Sequence, residues 1–499
     1  MLASSSAMAL SASTAIAKEP MRPLSIPGVQ AIPRAGVVEF SEPPEARDSV
    51  SLNVEFREEK NAQKPGEFLR YRTYNGQFVG PTIRTSPDTT MSIFVQNNLP
   101  REENAHDGQQ SMNEPHGLNT TNMHTHGLWV SPKAPADDVL RRIEPGESYS
   151  HVYPIPKTHV AGTFWYHPHK HGSVEAQVAQ GMAGAIIIEG GIDDLPGIQG
   201  ATERVMVIQQ PKPEKIERIV SLAQIVGAPN KVTTINTLHA PTLRQRSGSV
   251  ERWRLIAANY HDFFHIQLRR LGTTETIDLH PIAFDGIPVQ TVEPVSTVHL
   301  APGNRVDVMV PPLQPGSYEI YKVGDHGQFD AEAEDETIGF VEVGVPLNLA
   351  AAPIPTEIPV EYSHPTITAE EVNVPQRAVV YSMEDDPEGG LPKFLIDGRE
   401  FEEGHVDQEM KLGTVEEWRI ENHSDFMHPF HIHVNPFQIV EISDGSIPPG
   451  RWLDTVPLPP HGHVVMRTRI QEFTGDFVQH CHILLHEDHG MMQLIRISE

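Results

Sequence analysis

Gly248-Ser-Val-Glu-Arg-Trp-Arg-Leu255 returns later in the chain as Gly413-Thr-Val-Glu-Glu-Trp-Arg-Ile420. A few residues after each copy, Phe264-His-Ile-Gln-Leu268 is matched by Phe430-His-Ile-His-Val434. One module therefore occurs at least twice. The segments around it are short and strand-like. Val50-Ser-Leu-Asn-Val-Glu-Phe56 alternates with the period of two that a half-buried strand requires. Tyr71–Tyr74, Met91–Asn98, Gly162–Tyr166 and Gly184–Glu189 follow at sandwich spacing, separated by turns rich in Gly and Pro. No long amphipathic helix is evident. The expectation is an all-β chain in which the region before the first copy is a third module.

Composition agrees. The 499 residues exceed one ordinary core, and 44 Pro with 37 Gly suit a turn-rich β protein. Domain limits are expected at 45–192, 200–345 and 356–499, with Gly190–Gly197 and the Pro/Ala stretch 345–359 as linkers. Residues 1–44 read as a signal or lead segment. Ala7–Ala17 is small and apolar, and Ala15-Ile-Ala17 fits an A-x-A cleavage site, although no basic residue precedes it. A periplasmic or secreted protein is expected. The net charge of −28 repels phosphate backbones and argues against nucleic acid as partner. No apolar run is long enough to span a bilayer.

His480-Cys-His-Ile-Leu-Leu-His-Glu-Asp-His-Gly-Met491 contains the only cysteine, set between two histidines. A thiolate, imidazoles and a thioether form the ligand set of a blue-copper electron-transfer site. In an extended segment His480 and His482 point away from the face that carries Cys481. One strand would then serve two metal sites, back to back.

Upstream His-x-His pairs supply further ligands: His124-Thr-His126, His167-Pro-His169 and His431-Ile-His433. Two residues along a strand span roughly 6.6 Å with both side chains on one face, which suits a shared metal cluster. With 27 His in the chain, about 1.5 such pairs are expected by chance, so no single pair is decisive. Context separates them. His124 and His126 follow a strand-like run, His167 and His169 follow Thr163-Phe-Trp-Tyr166, and His428 stands three residues ahead of His431. His461-Gly-His463 sits in a Pro/Gly turn and reads as solvated, and His171 reads as a neighbour. In the middle module Gln267 stands where His433 stands in the last, so that module is expected to hold no copper.

In order and spacing, these four segments resemble the copper signatures of the multicopper oxidases: H-x-H-G, H-x-H, H-P-x-H-x-H and H-C-H-x3-H-x4-M. Asn75-Gly-Gln-Phe-Val-Gly-Pro-Thr82 resembles the family's N-G-Q-x-x-G-P-T turn. The likeness covers nearly the whole chain past about residue 45 and is nearest to the three-domain, laccase-like bacterial branch. It implies three cupredoxin-like Greek-key β-sandwich domains and four copper ions. Type 1 copper would be held by His428, Cys481 and His486, with Met491 as weak axial ligand. Type 2 copper would take His124 and His431, and the type 3 pair His126, His167, His169, His433, His480 and His482. Glu487 matches a proton donor of similar enzymes. Asp137, or its neighbour Asp138, matches the acid near the type 2 site.

The resemblance implies an oxidase with O2 and a small reducing substrate as partners, and a monomer can hold the whole cluster. Phenols or aromatic amines are the expected donors. A cuprous or ferrous metallo-oxidase is the alternative, although the 15 Met are scattered and 361–403 is acidic instead of Met-rich. Bilirubin-type oxidation stays open. A non-catalytic copper-binding or division-associated scaffold is disfavoured, because members of that kind have lost ligands from the third domain.

Overall fold

In a computed structural model of the chain, both copies of the repeat are strands, Glu251–Ala257 and Val415–Asn422, and the repeat's side chains explain its recurrence. Two residues apart on a strand share a face, so Glu and Trp of the motif meet. The buried Trp253 indole donates to Glu251 at 2.9 Å, and the buried Trp418 indole donates to Glu416 at 2.8 Å. An arginine from the parallel neighbouring strand completes each: Arg204 lies 3.2 Å from Glu251, and Arg377 lies 3.1 Å from Glu416. The large apolar ring is buried while its one polar atom and the carboxylate satisfy each other.

The model describes residues 37–60, 68–101, 111–212, 232–324, 335–344, 353–387 and 390–499. The cleavage signal expected at Ala7–Ala17 lies outside them. They form the all-β, three-sandwich architecture expected from the sequence, each sandwich having two sheets around its own apolar core. The same sheet order occurs three times. One sheet runs Phe68–Tyr74, Ser49–Lys60, Thr90–Asn97, Ser148–Pro154 in the first sandwich. In the second it runs Thr234–Ile235, Thr202–Gln209, Glu251–Ala257, Arg305–Val310, and in the third Lys393–Ile396, Arg377–Glu384, Val415–Asn422, His463–Arg469. The central pair is parallel each time.

The facing sheet also repeats a series of four strands, and the fourth of the series carries histidine in every copy. The order is Thr82–Thr85, Gly184–Ile188, Gly162–His167, His124–His126 in the first sandwich. It is Thr242–Gln245, Glu336–Val343, Gly316–Val323, Phe264–Arg270 in the second, and Gln408–Lys411, Met492–Ser498, Gly475–Cys481, His428–Ile432 in the third. The end of the sequence-defined lead belongs to this architecture. Glu39 bridges Thr242 in parallel, and the Glu42 carboxylate accepts the Val205 amide at 3.1 Å.

Because packing and a buried hydrogen bond are combined at the repeat tryptophan, two substitutions separate them. Trp418→Ala is expected to lower stability by about 3–5 kcal/mol through the cavity it leaves. Trp418→Phe should cost about 1–3 kcal/mol through the lost indole hydrogen bond to the Glu416 carboxylate, which Arg377 still holds. Urea unfolding followed by circular dichroism measures both; equal losses would contradict a packing-led role.

Candidate metal centre

Strand register sets the site. His124 pairs with His167 across the strands His124–His126 and Gly162–His167, and His431 pairs with His480 across His428–Ile432 and Gly475–Cys481. Alternation then splits the last strand. Phe430 and Cys481, directly opposed, enter the core of the third sandwich, while His431 and His480 face the other way. The two faces gather two separate groups of donor side chains.

On one face, Cys481 Sγ lies 3.5 Å from His428 Nδ1 and 3.5 Å from His486 Nδ1, and the two Nδ1 atoms are 3.2 Å apart. All three residues are buried. His428 Nε2 is fixed by Ser424 Oγ at 2.8 Å, and the His486 ring stacks on Phe394 at 4.3 Å. Met491 is fully buried, its amide donates to the His486 carbonyl at 2.8 Å, and its own carbonyl accepts the Cys481 amide at 3.0 Å. Burial pushes the Cys481 thiol well up, so a bound metal is what would hold it as thiolate.

The other face collects eight buried imidazoles from two sandwiches. Three groups bring ligand atoms within 4.8 Å of one another: His126, His167, His482; His169, His433, His480; and His124, His126, His431. His126 Nδ1 faces His482 Nε2 at 3.2 Å, and His169 Nε2 faces His480 Nε2 at 3.1 Å. His124 stacks on His433 and His126 on His431, each pair with centroids 3.8 Å apart. Nε2 of His124, His167 and His431, Nδ1 of His482 and both nitrogens of His433 are buried with no hydrogen-bond partner. Orphaned lone pairs aimed into one space are costly unless something binds them. The donor set, imidazole in one place and thiolate with imidazole in the other, fits copper.

Carboxylates hold the outer nitrogens. Asp137 Oδ2 lies 2.8 Å from His124 Nδ1, and its other oxygen accepts the Thr125 amide and hydroxyl. Burial pushes Asp137 up to about 7. Asp138 instead is partly exposed and lies 3.8 Å from Arg141. Glu487, fully buried, sits 3.1 Å from His480 Nδ1 and 3.4 Å from His169 Nδ1, in ion-pair range but off the hydrogen-bond direction. His171 bonds Asn113 at 3.0 Å, and His461 and His463 pair with Asp425 and Glu441, apart from the cluster.

Sequence reading missed Asp454, Arg305 and Asp285. Asp454 Oδ1 lies 3.2 Å from His126 Nε2, and its carbonyl accepts His431 Nδ1 at 2.9 Å. Arg305, fully buried in the second sandwich, grips Asp454 through both terminal nitrogens at 2.5 and 2.9 Å and the Thr163 carbonyl at 3.3 Å. Asp285 accepts the Arg305, Asp454 and Thr455 amides. A Cβ at Gly127 would collide with both the Arg305 guanidinium and the Asp454 carboxylate, and Gly127 has φ +84°. The glycine of H-x-H-G was the one available trace of this ion pair.

Two expectations follow. Burial holds His428 at about 3, and burial with the neighbouring His169 imidazole holds His167 at about 3. Burial also holds His169 at about 4, although Glu487 pulls it back up. These folded values lie below the unfolded value of about 6.5, so the unfolded chain binds more protons as pH falls. Stability of the metal-free protein should be intact above about 6.5 and decline toward pH 4, by up to about 1.4 kcal/mol per pH unit for each such histidine. A melting temperature unchanged between pH 7.5 and 5 would contradict neutral burial. Separately, Arg305→Met should destabilise by about 3–5 kcal/mol, because Asp454 and Asp285 are left buried without their cation; a chemical melt with no shift would rule the ion pair out as a brace.

Family models described as multicopper oxidase match residues 111–192 and 371–499. A multicopper oxidase of Staphylococcus haemolyticus is 25% identical over 434 residues, 85% of this chain and 83% of its own length. A laccase of Bacillus subtilis is 24% identical over 476 residues, 85% of this chain and 90% of its own. Among solved structures, a Campylobacter jejuni multicopper oxidase described as a metallo-oxidase superposes with a TM-score of 0.71 at 21% identity, covering 93% of this chain and 94% of that one.

Proposed function

Because this chain belongs to the multicopper oxidase family, and so is a copper oxidoreductase that uses O2 as acceptor, we propose that it is laccase-like, taking electrons singly from phenols or aromatic amines. The observation that carries this reading is the pair of buried ligand sets on opposite faces of one strand, with Cys481 between His480 and His482. On this reading His428, Cys481, His486 and Met491 would hold type 1 copper. His124 and His431 would hold type 2 copper, and His126, His167, His169, His433, His480 and His482 the type 3 pair. Four bound coppers would supply single-electron acceptance at Cys481 and four-electron reduction of O2 to water at the histidine cluster.

The protein's own residues prepare the chemistry. Asp137 and the Asp454 carbonyl orient His124 and His431 through their outer nitrogens, leaving Nε2 of each inward. Burial of every ligand excludes bulk water, so protons must be delivered. We assign that delivery to Glu487, which touches His169 and His480, with Asp137 serving the His124 side and Asp138 set aside for its exposure. We read the protein as an exported monomer on the strength of Ala7–Ala17 and of a single chain carrying every ligand. No helix of the described residues is long and apolar enough to cross a membrane.

One observation favours a second reading, a cuprous or ferrous oxidase. The Tyr381 ring lies 6.2 Å from His428 and Phe394 stacks on His486, and the strand carrying Tyr381 runs out into Glu384-Asp385-Asp386. A cationic donor would be drawn to these carboxylates. Oxygen uptake by the copper-loaded protein, compared among a phenol, Cu(I) and Fe(II), decides. The laccase reading expects the highest kcat/KM for the phenol, unchanged on Asp385→Asn/Asp386→Asn. A preference for metal ions that drops roughly threefold or more in that variant would favour the second reading. Cys481→Ser should abolish the blue colour and uptake alike, and persistence of either would refute the type 1 assignment.

A further inference from the structure

The middle sandwich was expected to hold no copper, yet its histidine-bearing strand begins at a surface imidazole pair, the half-buried His265 against the exposed His299 of a neighbouring strand. Phe264–Arg270 is the counterpart, by sheet order, of His428–Ile432, and His265 matches His431 in the sequence repeat. In the third sandwich His431 is opposed by Thr455, whose hydroxyl lies 3.0 Å from His431 Nδ1. In the middle sandwich His265 is opposed by His299, on the strand Val298–Leu300. The two Nδ1 atoms are 2.8 Å apart and the ring centroids 4.8 Å apart. The strand on the other side offers Val323 opposite His265, where the third sandwich offers His480 opposite His431.

From this geometry we infer that His265 and His299 form a surface site for one Cu(II) ion, additional to the copper of the buried centre. With metal–imidazole bonds of roughly 2.0–2.1 Å, nitrogens 2.8 Å apart subtend about 86° at a shared ion. That is the cis angle of the tetragonal geometry that marks Cu(II), narrower than the tetrahedral angle Zn(II) takes. The same Nδ1 atoms, 3.2 Å apart, converge at His428 and His486. His265 alternates with the buried Phe264 and Ile266, so it points off the core, and His299 is exposed. Water can therefore fill the remaining positions. Two protein ligands with an open face make the ion exchangeable, unlike one enclosed by buried histidines. No carboxylate is bonded to either ring among the described residues, so the ligand donors are the two imidazoles. The inference rests on the middle sandwich alone and stands whichever donor the oxidase prefers.

The test uses the copper-loaded protein, desalted and dialysed against micromolar CuSO4 in a glycine buffer that competes for loosely held metal, with bound copper counted by atomic emission. His265→Ala, His299→Ala and the milder His299→Gln are treated identically. Wild type is expected to retain one copper per chain more than each variant, with at least tenfold weaker binding at that site in each. The electron paramagnetic resonance spectrum of the added copper should show coupling to two nitrogens, lost in every variant. All variants should keep the visible band and the rate of oxygen uptake with a phenol, which shows that they are folded. Equal copper uptake by wild type and variants, or no uptake beyond the buried copper, overturns the inference. So does Zn(II) displacing the added copper at equimolar concentration.

Discussion

The guanidinium of Arg305 is the constraint on which the rest of the centre depends. It comes from the second sandwich, is fully buried, donates to Asp454 of the third and to the Thr163 carbonyl of the first. Asp454 in turn touches His126 and, through its carbonyl, His431, one histidine from each half of the cluster. A buried cation of this kind tolerates only close partners in fixed geometry, since any loosening leaves charge unpaired at low dielectric. The second sandwich thereby fixes the mutual placement of the two that carry the cluster. Glycine at 127 is the steric condition for that approach.

The second constraint is electrostatic. Eight imidazoles facing one space cannot be protonated together, because burial and mutual repulsion both favour the neutral form. Neutral imidazoles offer lone pairs, and lone pairs without partners are unfavourable in a dry interior. The fold therefore gathers matched ring nitrogens that a bound metal would satisfy. The carboxylates around it, Asp137, Glu487 and Asp454, contact the outer ring nitrogens or sit near them, so they set ring orientation.

Much of the fold was legible early because short alternating strands and a repeated Val-Glu-x-Trp-Arg motif carry their own physical reason. Paired spacing in His124-x-His126 likewise reports a shared strand face, while His433 and His482 stand one residue past the ends of their strands. Asp137 and Asp138 were indistinguishable along the chain, since adjacent carboxylates differ only in which way the backbone turns them. Asp137 turns inward to His124, and Asp138 outward toward Arg141. His265 illustrates the opposite limit. Its neighbour His299 comes from another strand, so the motif copy alone does not show that the two imidazoles meet.

The all-β repeat and the opposite-face placement of Cys481 from its flanking histidines were readable along the chain, because both depend on local periodicity. Only the tertiary structure decided which histidines meet, which acid turns inward, and that Arg305 and Asp454 brace them from separate sandwiches. Those are contacts between strands far apart in the chain, and no local pattern encodes a distance across a domain boundary.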